Sequence, residues 1–267
     1  MMDAPVLETP APRPGPYALA RLNRPPRRRP PGYLYVFGAY LAISLVIFGH
    51  LLRHLNDANL QVGPADQDAF DWFLWYGAHA LGSGANPLYT TLFGPGGANL
   101  MANTSVLGIG VPLLPLTLLA GPQVALALAL VLGLAGSAAA WYWLFRRLVP
   151  RSRLAAGFAG GFCGFSPAAV SHANGAHLNL LVTFLVPFII ANALRLAEPK
   201  RLLRNAVPLG LLVAYQAFIG EELILLTAVG LALFCLCYLL LQPRAALRAA
   251  RVTQCGTTSR KLPQSPR

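Results

Sequence analysis

The stretch PADQDAFDWFLWYGAHALGSGANPLYTTLFGPGGANLMANTS, residues 64–105, decides how the rest of the chain is arranged. It holds three aspartates, a run of aromatic residues and two turn-rich segments. It also lies within the 92 residues from His54 to Phe145, which contain no lysine or arginine. Segments on the outer side of a cytoplasmic membrane lack positive charge in this way. We therefore predict that this stretch is part of an outer loop.

The composition places the chain in a membrane. Its 267 residues are 55% hydrophobic and 11% charged, with a mean hydropathy of +0.53, which is too apolar for a soluble domain of this length. Several near-continuous apolar runs have the length of a membrane span. We predict an all-α fold, a polytopic transmembrane helix bundle in the cell membrane.

The net charge of +12 does not indicate nucleic-acid binding, because the basic residues do not form one patch. They come in packets separated by apolar spans: six before Tyr33, four within 146–153, four within 195–204 and six after Leu241. This spacing is typical of membrane topology and of contact with anionic headgroups. The predicted partners therefore include membrane lipids and exclude nucleic acid.

The position of Val106–Ala120 decides the topology. This apolar piece is interrupted by Pro112 and Pro115 and is shorter than the roughly 20 residues that a perpendicular crossing needs. If it crossed, the basic packet that begins at Arg146 would fall outside. We predict instead a juxtamembrane or re-entrant segment, within an outer loop over 53–122 that carries juxtamembrane helices. Both termini then lie in the cytoplasm, and about six spans remain: Tyr33–Leu52, Gln123–Phe145, Leu154–Val170, Leu180–Ala197, Ala206–Gly220 and Leu223–Leu241.

The two ends of the chain differ from its middle. Residues 1–32 carry nine prolines and six arginines, which predicts a disordered basic arm in the cytoplasm. Residues 33–241 form the predicted transmembrane domain, and residues 242–267 form a polar cytoplasmic tail. Because the chain stops without a soluble domain, we expect it to be a truncated, N-terminal part of a longer protein.

The acidic end of the opening stretch offers candidate chemistry. A helix over Asp68–Leu81 mixes aromatic rings with carboxylates, which suits a position along the membrane interface. Asp68 and Asp71 share one face of it, and Asp66 lies just before it. Two interpretations remain open. Asp66 or Asp68 is only an N-cap above aromatic anchors, or one of these carboxylates is a general base for an acceptor at the membrane surface.

The order of several short motifs resembles the bacterial integral-membrane glycosyltransferases of the GT-C superfamily. The resemblance covers about residues 33–241. Its motifs follow a first span and are GPADQDAFDWFLWYGAHAL (63–81), NPLY (86–89), GPGGANLMANTS (94–105), PLTLLAGP (115–122), GFSPAAVSHANGAHLNL (164–180) and QAFIGEEL (216–223).

The resemblance implies a function for the outer face. In that superfamily a sugar passes from a polyprenyl-phosphate donor to a glycan or lipid acceptor outside the cytoplasmic membrane, normally with inversion. An aspartate of the first outer loop is the base. Asp66 matches that aspartate best by its position in the motif, and Asp68 is the second choice. The resemblance also implies that His177 and Asn179 bind the sugar or the phosphate.

Other polar residues are candidates with two interpretations each. Glu221 and Glu222 lie between apolar runs, where carboxylates are costly; they form either a solvated turn or a site for a metal ion or an acceptor hydroxyl. His172 and His177 are five apart around a turn, which fits a same-face helix pair poorly and disfavours metal binding. Turn formation accounts for two loop asparagines that could also line a polar groove, Asn99 and Asn103.

The chemistry makes one further demand, since a departing phosphate needs positive charge. Outside the membrane the sequence offers only Arg53 and histidines, and a divalent metal ion is the other possible source of this charge. Two alternatives to the enzyme remain: a non-catalytic transporter or lipid-binding protein, and an inactive fragment of such an enzyme. Transporters usually place ionisable residues near the midplane and show inverted repeats. Here the acids cluster at one outer face and no repeat is visible.

Overall fold

The computed structural model describes residues 32–55, 64–102, 104–148, 152–196 and 202–241, and they are almost entirely helical. The predicted arm, apart from Gly32, and the predicted tail lie outside the described residues, as does Asn103. The described helices are α1 (Gly32–Ile47), α2 (Gly49–Arg53), α3 (Pro64–Ser83), α4 (Leu107–Ala120), α5 (Pro122–Leu148), α6 (Arg153–Gly164), α7 (Pro167–Asn174), α8 (Leu178–Leu181), α9 (Val186–Arg195), α10 (Leu202–Ala217) and α11 (Glu221–Leu241).

A small hairpin follows α3. Its two strands, β1 (Tyr89–Thr90) and β2 (Ala98–Asn99), are antiparallel with Tyr89 opposite Asn99, and a short 3-10 helix, Leu100–Ala102, comes next. Trp72 of α3 stacks on Tyr76 with 5.0 Å between the ring centroids, and it also contacts Phe93 near the hairpin tip at 4.9 Å. The aromatic run of α3 therefore holds the hairpin against the helix.

Helix α5 is the centre of the bundle. Leu126, Leu130 and Leu134 recur every four residues along it, so they fall on one face, and each is almost completely buried. Helices α1, α4 and α6 pack around α5. Because lipid tails are as apolar as leucine, close packing rather than exclusion of water holds such helices together.

Small residues bring α6 against α5. Ala156, Gly160 and Gly164 recur every four residues and are buried. A Cβ atom added to Gly160 would lie 2.7 Å from the backbone nitrogen of Tyr142, so no larger residue fits at this distance. Between α1 and α6, the hydroxyl of Tyr40 donates to the carbonyl of Gly157 at 2.6 Å.

Two helices of the described residues are long and apolar enough to cross a membrane, α5 and α11. A third crossing is possible if α6 and α7, which meet at a bend of 43°, count as one broken span. Helices α1, α4 and α9 are apolar but shorter. A helical membrane protein is therefore the description that fits, while six spans and their orientation stay a prediction.

Two predicted spans are interrupted. Leu154–Val170 bends between α6 and α7, where Ser166 caps α7 by accepting from the backbone N–H of Ala169 at 3.3 Å. Leu180–Ala197 is not one helix, because residues 182–185 separate α8 from α9. At that break, the hydroxyl oxygen of Ser137 accepts from the Thr183 N–H at 2.9 Å. A buried side chain thus satisfies the backbone where the helix stops.

The segment predicted to stay in the outer interface forms α4. Its 14 residues include Pro112 and Pro115 and are fewer than a perpendicular crossing needs. Its N-terminus is joined to the end of α10, since the Gly108 N–H donates to the Phe218 carbonyl at 2.7 Å and the Tyr215 hydroxyl donates to the Gly108 carbonyl at 2.5 Å. This joint places the QAFIGEEL segment beside the start of α4.

Candidate functional site

Helix α3 presents the candidate base. Gln67, Phe70 and Leu74 lie on one face and are buried, which fixes the rotation of the helix. Asp66 lies in the first turn of α3 and not before the helix as expected from the sequence, because Pro64 already begins it. A carboxylate in the first turn is favoured by the helix dipole. The Asp66 side chain remains about half exposed, at 53%.

A helix-ending turn brings His172 and His177 together. The His177 N–H donates to the His172 carbonyl at 2.9 Å, and the Ala176 N–H donates to the Ala173 carbonyl at 3.2 Å. These two bonds define a Schellman motif. In this motif the N–H of the second residue beyond the C-cap donates to the carbonyl of the third-last helical residue. Ala176 takes the left-handed conformation that the motif requires, with φ 55°. This turn, and not a shared helix face, therefore brings His172 and His177 together at their five-residue spacing.

Three side chains form one line, which we call the histidine–aspartate cluster: Asp66, His177 and His172. The Nε2 atom of His177 lies 2.9 Å from Oδ2 of Asp66. The Nδ1 atoms of His177 and His172 lie 3.1 Å apart. The contact between Asp66 and His177 joins residues 111 positions apart in the chain. Asp66 and the SHANGAH segment thus meet in one site.

A second polar contact joins the segment that follows His177 to the start of α11. The Asn179 amide donates to Oε2 of Glu222 at 3.2 Å. Gly220 allows this approach, because a Cβ atom there would lie 2.8 Å from the Asn179 Cβ. Burial, and then the neighbouring His177, lower the pKa of His172, and the Glu222 carboxylate opposes this in part.

The described residues also enclose an apolar cavity of about 180 Å³. It is lined by α4 and α5 and by residues close to the polar contacts in sequence, notably Val182, Phe184 and Tyr215. Segments 178–184 and 215–222 therefore contribute both to the apolar cavity and to the polar contacts.

Among the described residues, no hydrogen bond joins the remaining candidates to the cluster. Asp68 has an exposed side chain. Glu221 is exposed in the first turn of α11, which is helix and not the turn expected there. Asn99 accepts from the Met101 N–H at 3.0 Å, so its side chain serves a local turn, the first of the two interpretations given above. Asn103 cannot be placed.

The structure adds burial at three polar residues, of which the sequence had singled out only Asp71, as a neighbour of Asp68 on one helix face. Among the described residues, the Oδ1 atom of Asp71 is buried without a hydrogen-bond partner. Burial, with a smaller contribution from the neighbouring Asp68 carboxylate, raises the pKa of Asp71 to about 6. The Thr104 hydroxyl donates to the Ile219 carbonyl at 2.9 Å, and Gln216 is fully buried. The only available signal was the polarity of these residues between apolar ones.

Among the described residues, no three His, Cys, Asp or Glu side chains are arranged to hold a metal ion. Cys163, Cys235 and Cys237 are free thiols. Comparison of the chain with protein-family models, with curated proteins and with solved structures found no match in any of the three.

Proposed function

We propose that this chain is the membrane part of a glycosyltransferase, resembling the GT-C superfamily, that moves a sugar from a polyprenyl-phosphate donor to an acceptor on the outer side of the cell membrane. The observation that supports this proposal most is the contact between Asp66 and His177. It joins the two motifs that the resemblance assigns to the base and to substrate binding, although they are far apart in the chain.

In this proposal Asp66 is the general base. The acceptor hydroxyl gives its proton to Asp66 while its oxygen forms a bond to the anomeric carbon of the sugar. The bond from that carbon to the phosphate oxygen breaks, and the phosphate leaves with the electron pair. His177 holds the carboxylate through Oδ2, which leaves the other carboxylate oxygen for the acceptor.

The apolar cavity supports a lipid-linked donor. Its lining residues include Ile109, Leu113 and Phe184, which offer an isoprenoid chain apolar contacts but few polar partners. Because Val182 lines the cavity three positions after Asn179, a chain lying there would bring its phosphate towards the polar contacts. The histidines are the groups of the cluster that carry positive charge when protonated, as a departing phosphate requires.

Sugar transfer measured in membranes with a panel of polyprenyl-phosphate sugars tests the proposal. We expect Asp66→Asn to lower the rate by at least about 100-fold, because the amide cannot accept the proton. Asp68→Asn is the matched control on the same helix, and we expect it to keep the rate within a few-fold. Equal rates for wild type and Asp66→Asn would contradict the role of Asp66. Absence of transfer from every donor by folded protein would favour a lipid-binding or transport function.

A further inference from the structure

The contact between His172 and His177 sets a limit on the protons that this pair can hold. The two Nδ1 atoms face each other at 3.1 Å, which is hydrogen-bond distance. A hydrogen bond needs one donor and one acceptor, so one hydrogen lies between them. Two hydrogens would place two N–H donors against each other, and none would place two lone pairs against each other.

The contact with Asp66 determines which nitrogen of His177 carries hydrogen. The Nε2 atom of His177 lies 2.9 Å from a carboxylate oxygen, and a carboxylate only accepts. His177 therefore carries hydrogen on Nε2. When His177 is neutral, its Nδ1 atom must accept, and the shared hydrogen then belongs to Nδ1 of His172. The Nε2 atom of His172 is left with a free lone pair.

We propose that His172 and His177 act as a single proton-accepting unit. A proton taken up at Nε2 of His172 shifts the shared hydrogen from Nδ1 of His172 to Nδ1 of His177. The N–H bond at Nδ1 of His172 breaks and the N–H bond at Nδ1 of His177 forms, so the positive charge moves next to the Asp66 carboxylate. His172 is a positioning residue in this unit, because it acts on Asp66 only through His177.

The surroundings limit the pair to one added proton. Burial, and then the neighbouring His177, lower the pKa of His172, and the Glu222 carboxylate of α11 opposes this in part. Asp66 from α3 accepts from His177, so a positive charge on the pair is better placed on His177. A second proton would make both Nδ1 atoms donors and break the contact. The Schellman motif holds the two residues together, and the His177 ring packs against Gly175, where a Cβ atom would come within 3.0 Å of it.

The catalytic role of this histidine pair rests on the proposed sugar transfer. In both the neutral and the singly protonated state, His177 keeps hydrogen on Nε2 and keeps donating to Asp66. The carboxylate therefore stays in position while the pair gains positive charge.

Nitrogen NMR of the full chain in lipid bilayers, with ¹⁵N-labelled histidine, tests the unit without any enzyme assay. We expect magnetisation transfer between the Nδ1 nuclei of His172 and His177. As the pH is lowered, the pair should gain one hydrogen and keep this contact. His79, which is exposed and stacks on Trp75, is the internal control outside the pair. Absence of transfer between the two Nδ1 nuclei, or loss of the contact on the first protonation, would overturn the proposal.

Variants at position 172 separate positioning from simple packing. His172→Gln keeps an N–H donor for His177 but cannot take up the proton. We expect this variant to lose one ionisation that the wild type shows in the pH profile of sugar transfer. His172→Leu removes the donor as well, and we expect at least about a tenfold lower rate at every pH, because His177 can then adopt the wrong tautomer. A pH profile unchanged in His172→Gln would refute the positioning role.

The two proposals fail separately. Shared-hydrogen NMR signals in a chain that transfers no sugar would leave the unit standing and remove the proposed function. Sugar transfer by a chain that lacks those signals would remove the proton-accepting unit and leave the proposed function standing.

Discussion

At the scale of single residues, two aspartates of one helix have opposite environments. Asp66 is half exposed and accepts from His177, whereas Asp71 has a buried oxygen without a partner and a pKa raised to about 6. A folded-state pKa above the ordinary 3.8 means that the folded chain holds this proton more tightly than the unfolded chain. The contribution of Asp71 to stability is therefore most favourable below about pH 4 and is lost as the pH rises through about 6.

Asp71→Asn is expected to stabilise the protein at pH 7, because it removes a poorly solvated charge. Since the side chain is only partly buried, water screens the effect, and we expect a rise in melting temperature on the order of 2 °C. The variant should also flatten the fall in melting temperature between about pH 4 and 6. Thermal unfolding in detergent at several pH values measures both effects. A lower melting temperature at pH 7 would show that Asp71 has a stabilising partner when ionised.

At the scale of elements, the close packing of α6 on α5 depends on small residues. Gly160→Ala is expected to destabilise by about 1–3 kcal/mol, because its Cβ atom would lie 2.7 Å from the Tyr142 backbone nitrogen and the helices must separate. Gly157→Ala on the same helix is the matched control, since a Cβ atom there meets nothing within 4 Å. Thermal unfolding measures the melting temperatures of both variants, and we expect that of Gly160→Ala to be the lower. Equal melting temperatures would contradict the packing account.

The sequence predicted helices well where apolar runs are continuous, as in α5 and α11, and it predicted the helix of α3. It missed the interruption at 182–185, because the group that satisfies the backbone there is Ser137, on a distant helix. It also treated the spacing of His172 and His177 as unfavourable for metal binding, because residues five apart fit one helix face poorly. Asn174–Gly175, at the end of α7, was the available signal of a helix-ending turn, which is set by local backbone hydrogen bonds. Contact with Asp66 depends on tertiary packing, so only the motif resemblance pointed to it.

At the scale of the whole molecule, the apolar surface fits a membrane, and the charge pattern predicts one orientation in it. Leu223 is the only buried residue in the described helix α11, and many of its other side chains are apolar and exposed, as expected of a helix that faces lipid. If basic packets lie in the cytoplasm, the loop after α3 faces outward and the loop between α5 and α6 faces inward.

Cysteine accessibility in intact cells checks this orientation. In a chain whose native cysteines are replaced by alanine, we expect Ala85→Cys to react with a membrane-impermeant reagent. Ser152→Cys should react only after the membrane is opened. Labelling of both positions from outside would contradict the predicted topology, and it would require α4 or another short helix to cross.

The measurement that tests the central claim most directly is a double-mutant cycle on sugar transfer with Asp66→Asn and His177→Gln. If the two residues act as one unit through their 2.9 Å contact, the double variant should be no slower than the slower single variant. If the two losses multiply instead, Asp66 and His177 act independently, and their contact is not part of the chemistry.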